Sequence, residues 1–237
     1  TGSTWFYGLI KSEDNMKTWK KMDRGIVASS PSIVLCNPKD PNIIYTSGNV
    51  IQEKYFTTDG GTTWEPFSPT NAGDELKIDP HNPDHMLLVS EMTHIWESYD
   101  SGRTFKQINN DFWGAKVFDI AIAKDSQERI YVSNIGVGIS ELPLTEQDWR
   151  HLTGSPDYAY RIEVDPEDSD ILYATYSPKI FENYSSIWRY TRDQSENFGW
   201  SEIFRINNSR GITSLTFDKS LPDRIYAGVI GKEGTIY

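Results

Sequence analysis

Eight residues constrain this chain more than any others: Thr57 to Trp64, Thr-Thr-Asp-Gly-Gly-Thr-Thr-Trp, of which worn copies recur along its whole length. Tyr55 and Phe56 before the stretch are apolar and β-favouring. Asp59-Gly60-Gly61 is a hairpin turn in which glycine accepts positive φ, and Thr63-Trp64 restarts an extended run. Ser98 to Phe105 keeps the hydroxyl, Asp, Gly, Thr and aromatic positions, and Ser12 to Trp19 keeps all but the glycine. Two weaker copies end at Trp149 and Trp200. The closing aromatics Trp19, Trp64, Phe105, Trp149 and Trp200 are spaced by 45, 41, 44 and 51 residues.

A second signal runs in step with the first: an apolar strand, an Asp/Asn-Pro turn and another strand. It covers Ile33 to Tyr45, Leu76 to Leu88, Ile120 to Val132, Ile162 to Ala174 and Leu215 to Ala227. Five turns of each kind alternate. About four strands per ~40–50 residues is the signature of propeller blades, and helical repeats of that period need an apolar spacing absent here. The expected fold is therefore all-β, a β-propeller of about five four-stranded blades in one domain over residues 1–237. It is either a closed five-bladed ring or an arc of a larger propeller, and in the second case the chain is a fragment of a longer one.

The box at 57–64 and 98–105 resembles the Asp-box (BNR) repeat. Together with the Asp-Pro units it is similar to the propellers grouped around sortilin-type receptors, Ycf48-like photosystem II assembly factors and xyloglucan-cleaving glycoside hydrolases. The resemblance covers almost the whole chain and implies the fold. It is poor for function, since the box occurs in sialidases, other hydrolases, receptors and assembly factors.

A net charge of −11 argues against nucleic acid or an anionic membrane as partner, and no run approaches the ~20 apolar residues that span a bilayer. The single cysteine, Cys36, lies in the strand Ile33-Val34-Leu35-Cys36 and reads as a small buried apolar residue. No His/Cys cluster, phosphate loop or nucleophile elbow is present, so no cofactor or metal is expected. His81 and His85 would suit a metal only on a helix, which Asn82-Pro83 forbids. Asn183-Tyr184-Ser185 and Asn207-Asn208-Ser209 fit the glycosylation sequon, a pattern frequent by chance.

In an up-and-down blade, boxes and Asp-Pro turns share one face and the longer loops the other. Asp14, Asp59, Asp100, Asp79, Asp165 and Asp218 are then structural, satisfying backbone donors in turns. The loop-rich face carries the candidate ligand contacts Phe112, Trp113, Tyr158, Tyr176, Phe181 and Tyr184, aromatic planes suited to a sugar or peptide. Packing between blades would account equally for Trp113 and Tyr158. The loop 175–186, which holds Tyr176, Phe181 and Tyr184, supplies much of the extra length of the last interval.

A glycoside hydrolase needs two facing carboxylates about 5–9.5 Å apart, and the candidates are Asp111, Asp119, Asp157 and Glu91, with Glu163 also on the channel rim. Asp119, inside the strand Val117-Phe118-Asp119-Ile120, also reads as a channel-lining polar residue. Phe204-Arg205-Ile206-Asn207 resembles a sialidase motif but falls on an outer strand and lacks its proline. The reading is a secreted or cell-surface binding module that engages a protein segment or glycan, with other domains of a longer chain as further partners. A carbohydrate-active hydrolase and a structural domain of a surface assembly are the alternatives.

Overall fold

The computed structural model describes residues 8–26, 31–48, 54–67, 75–90, 93–109, 116–123, 128–146, 148–177, 183–192, 199–218 and 220–231. Every regular element among them is a β-strand, and the protein is an all-β propeller. Its strands fall into two compact units, Thr1–Phe112 and Trp113–Tyr237.

The first unit holds a two-stranded sheet, β1 (Ile10–Lys11) and β2 (Lys20–Lys21), and two four-stranded sheets. One sheet runs β3 (Pro31–Cys36), β4 (Ile44–Gly48), β5 (Lys54–Thr57), β6 (Glu65–Pro66). The other runs β7 (Glu75–Ile78), β8 (Met86–Ser90), β9 (His94–Ser98), β10 (Lys106–Gln107). The second unit repeats the plan in β11 (Val117–Ile122), β12 (Arg129–Asn134), β13 (Gly138–Pro143), β14 (Arg150–His151). It does so again in β15 (Ala159–Val164), β16 (Ile171–Tyr176), β17 (Tyr184–Thr191), β18 (Gly199–Asn207), and ends with the pair β19 (Ser209–Phe217), β20 (Ile225–Gly231). Neighbours in sequence are neighbours in every sheet, and all pairs are antiparallel.

The three well-kept aspartate turns share one hydrogen-bond set. Asp59 accepts from the Thr57 hydroxyl (2.7 Å), the Thr63 amide (2.9 Å) and the Thr63 hydroxyl (2.6 Å), while Thr57 Oγ1 accepts the Gly61 amide (3.1 Å). Asp100 does the same with Ser98 and Thr104, and Asp14 with Ser12 and Thr18. The threonine hydroxyl is the first cause that holds these carboxyls below their ordinary range, Asp14 down to about 2. The Asp-Pro turns use the same chemistry on nearer amides: Asp79, Asp165 and Asp218 each accept the backbone amides two and three residues on, as does Asn37.

Trp64 closes its box beneath the turn, 5% exposed, with Nε1 donating to Met22 O and Gly61 O. Trp19, at the same place in the first copy, is 54% exposed. The cores lie between successive sheets. In the first unit Tyr45, Phe67, Leu76, Met86 and Leu88 pack together; in the second, Tyr131, Ile139, Ile162, Leu172 and Tyr190 do. Each such fully buried side chain contributes about 1.5–3 kcal/mol. Glu141, buried in β13, is held by Arg150 and Arg192, and Arg129 pairs with Asp170 across to the next sheet.

The burial expected for Cys36 is corrected: it is exposed. The side chains of β3 alternate, and Val34 and Cys36 share the open side while Leu35 packs against the core.

Two outcomes are expected. Met16 occupies at φ 65° the position that Gly61 (94°) and Gly102 (80°) hold in the other copies. Met16→Gly should raise the unfolding free energy by about 1 kcal/mol in urea titration, because a side chain is disfavoured in the left-handed region. His85 is buried between Asp79 (3.4 Å) and Glu97 (2.9 Å), under the Tyr99 ring. Burial pulls its imidazole down, but the Glu97 and Asp79 carboxylates outweigh that and leave it raised above its ordinary value. A raised group stabilises fully below its unfolded value of about 6.5 and loses that contribution as pH climbs through its folded value. The stability gap between the native chain and His85→Gln should therefore be wider at about pH 5.5 than at about pH 8.5.

Candidate functional site

Four inner strands, β3, β11, β15 and β19, are interrupted by bulges, whereas β7 keeps an unbroken register. In β11 the ladder passes from Val117 to Asp119 and leaves Phe118 extra; in β15 it passes from Ala159 to Ile162 and leaves Tyr160 and Arg161; in β19 it skips Arg210 and Thr213. β3 is bulged between Pro31 and Ile33. A bulge strands backbone amides and re-aims side chains.

The stranded amides are met by side chains. Asp119, 2% exposed, accepts the Ile120 amide of its own strand (2.9 Å) and the Ile162 amide of β15 (3.1 Å). Thr175 Oγ1 accepts the Arg161 amide (3.0 Å) and donates to Ile212 O (3.3 Å). The hydroxyl of Ser133 occupies the corresponding place on β12 and donates to Asp119 O, while Thr46 of β4 donates to Ile33 O.

The re-aimed side chains form a cluster in the second unit. Lys116 Nζ lies 4.9 Å from the Phe118 ring centroid, Phe118 is 4.8 Å from Tyr160, and Arg161 Cζ is 5.0 Å from Tyr160. Arg161 Nε donates to Thr213 O (3.0 Å) and Nη1 to Phe118 O (3.2 Å), so one guanidinium ties three inner strands. All four side chains are half-buried. The cluster offers two cations and two aromatic faces, an arrangement suited to a carboxylate carried beside apolar or planar groups.

Of the residues expected at a site, Asp119 has its two carboxylate oxygens engaged by backbone amides and ties β11 to β15. Asp157 is exposed, and its carbonyl accepts the Gly136 amide. Tyr158 bridges Ile135, and its carbonyl accepts the Ser177 amide. Tyr176 is only 8% exposed and stacks on Tyr184 at 5.5 Å, while Arg205 covers Tyr184 from 4.0 Å and is itself held bidentately by Glu202. The stack is completed within the protein and presents a guanidinium where a bare ring was expected. Asp111, Phe112, Trp113, Glu91 and Phe181 lie outside the described residues. Among the described residues no group of three metal-ligating side chains occurs.

Sequence reasoning missed Lys116, Phe118, Tyr160 and Arg161. The available signal was a charged residue inside an otherwise apolar inner strand, the pattern that singled out Asp119. The first unit has a hollow of about 270 Å³ beside the aspartate turns, floored by its aromatic core at Tyr45, Phe56 and Phe67.

No protein-family model matches the chain, and no curated protein sequence does. Solved structures do. An ancestral GH74 enzyme superposes with a TM-score of 0.68 at 15% identity over 97% of this chain and 34% of its own. The GH74 enzyme of Niastella koreensis gives 0.68 at 16% over 94% and 39%. A YCF48 structure bound to a D1 peptide gives 0.58 at 16% over 93% and 67%. The chain thus spans about a third of the length of the GH74 enzymes it matches. Identities this low show a shared architecture, the β-propeller.

Asp119→Asn should lower the unfolding free energy by about 1–3 kcal/mol in urea titration, because an amide NH₂ then faces a backbone amide and leaves a buried donor unmet.

Proposed function

We propose that this chain is a binding module of the Asp-box propeller type, secreted or displayed at a cell surface, that engages an acidic protein segment through its loop-rich face. The observation that carries this reading is the cluster Lys116, Phe118, Tyr160 and Arg161, set on the bulged ends of inner strands. In a chain of net charge −11, two half-buried cations laid on aromatic rings select a ligand carboxylate against the general repulsion. The peptide-bound YCF48 neighbour supports the same use of this architecture.

The GH74 neighbours favour a second reading, a carbohydrate-active hydrolase. With Asp119 committed to backbone amides, its acid and its base or nucleophile fall to Asp157, Asp111 and Glu91.

The two readings separate on arrays of acidic and basic peptides and of plant polysaccharides, scored for binding and for released reducing sugar. The binding module predicts capture of acidic peptides that weakens with added salt, and Lys116→Glu should lower that affinity at least about tenfold, the equivalent of 1.4 kcal/mol. Sugar release abolished by Asp111→Asn would replace this reading with the hydrolase.

A further inference from the structure

The outer strand of the sheet β15–β18 departs from its three counterparts. β6, β10 and β14 are two residues each, Glu65–Pro66, Lys106–Gln107 and Arg150–His151: short, charged or proline-bearing, the devices that stop one sheet edge from joining another. β18 runs for nine residues, Gly199–Asn207. Among the described residues no strand pairs with its outer side. Its ladder with β17 pairs Phe204 with Ile187 and Glu202 with Trp188, skipping Ile203. Ile203 and Phe204 are both left facing solvent, 49% and 48% exposed.

The local sequence is self-complementary. About a point between Ile203 and Phe204, the acidic Glu202 falls opposite the basic Arg205 and the two apolar residues fall opposite each other. Arg205 is held in place beforehand by Glu202 (2.7 and 2.6 Å) and by the Tyr184 ring at 4.0 Å, so little side-chain freedom remains to be lost on contact. A guanidinium carries five N–H donors, and that intrachain pairing with Glu202 uses two.

We propose that β18 is a homotypic docking edge on which a second copy of this chain lies antiparallel about a two-fold axis between Ile203 and Phe204. At the axis the bulge interrupts the backbone ladder, and the apolar side chains make the contact. On either side the Glu202 of one copy meets the Arg205 of the other, twice by symmetry, as an isologous interface requires. The charge crossing offsets the repulsion between two bodies that each carry −11.

Sedimentation velocity on the 237-residue chain, from about 1 μM to about 1 mM, tests this. The native chain should pass from monomer to dimer with concentration, and Phe204→Lys should stay monomeric throughout. Glu202→Arg alone and Arg205→Glu alone should each weaken association at least about tenfold by setting like charges face to face. Mixed in equal amounts, these two variants should recover a heterodimer, since each mixed contact again joins Arg to Glu; a pair acting only within one chain gives no such rescue. Ile203→Ser reads the same edge with the charge pair intact, and circular dichroism establishes that each variant is folded. A native chain that is monomeric over the whole range overturns the proposal, as does a dimer indifferent to Phe204→Lys or a folded pair of charge variants that fails to recover on mixing.

Discussion

At the aspartate turns, the Asp-Pro turns and two of the inner-strand bulges, a side-chain oxygen receives backbone amides that the antiparallel ladder no longer pairs. An unmet buried amide costs about 1–3 kcal/mol, and these acceptors remove that cost where they stand. In the aspartate turns Asp14, Asp59 and Asp100 do so. In the Asp-Pro turns Asn37, Asp79, Asp165 and Asp218 do. At the inner-strand bulges Asp119 and Thr175 do.

This constraint links fold to site. In the regular turns the aspartate and hydroxyl side chains are committed to the turn itself. The bulges of β11 and β15 free Phe118, Tyr160 and Arg161 from the alternation of the sheet, while Asp119 and Thr175 meet amides they leave. Arg161 then reaches the backbones of both adjacent inner strands, so the part that offers positive charge also holds those strands together. The same displacement acts at an outer edge in β18, where a skipped residue sets Ile203 and Phe204 side by side toward solvent.

Much of the fold was legible because its signals are local. Asp, Gly and Thr at fixed offsets specify a turn wherever they occur, and even the glycine-less copy at Ser12 to Thr18 closes with the same bonds. Burial was less legible, since it depends on which neighbour arrives. Cys36 looked apolar and is exposed because Leu35 took the core side of β3. Trp64 and Trp19 close equivalent turns with the same Asp and Thr offsets, yet one is buried and the other open. Tyr176 and Tyr184 were visible as aromatics, but Arg205, twenty-one residues beyond Tyr184, covers the ring that seemed available.

What the amino-acid sequence determined by itself is the repeat: strand order, turn chemistry and the all-β propeller, each settled by contacts between residues close along the chain. What only the tertiary structure decided is which side chains those turns and bulges bring together. Lys116 and Phe118 meet Tyr160 and Arg161 across some forty residues, and Asp119 reaches the Ile162 amide over a separation of 43. Such meetings depend on the register of whole strands, and a one-residue slip would turn each of these side chains to the opposite face of its sheet.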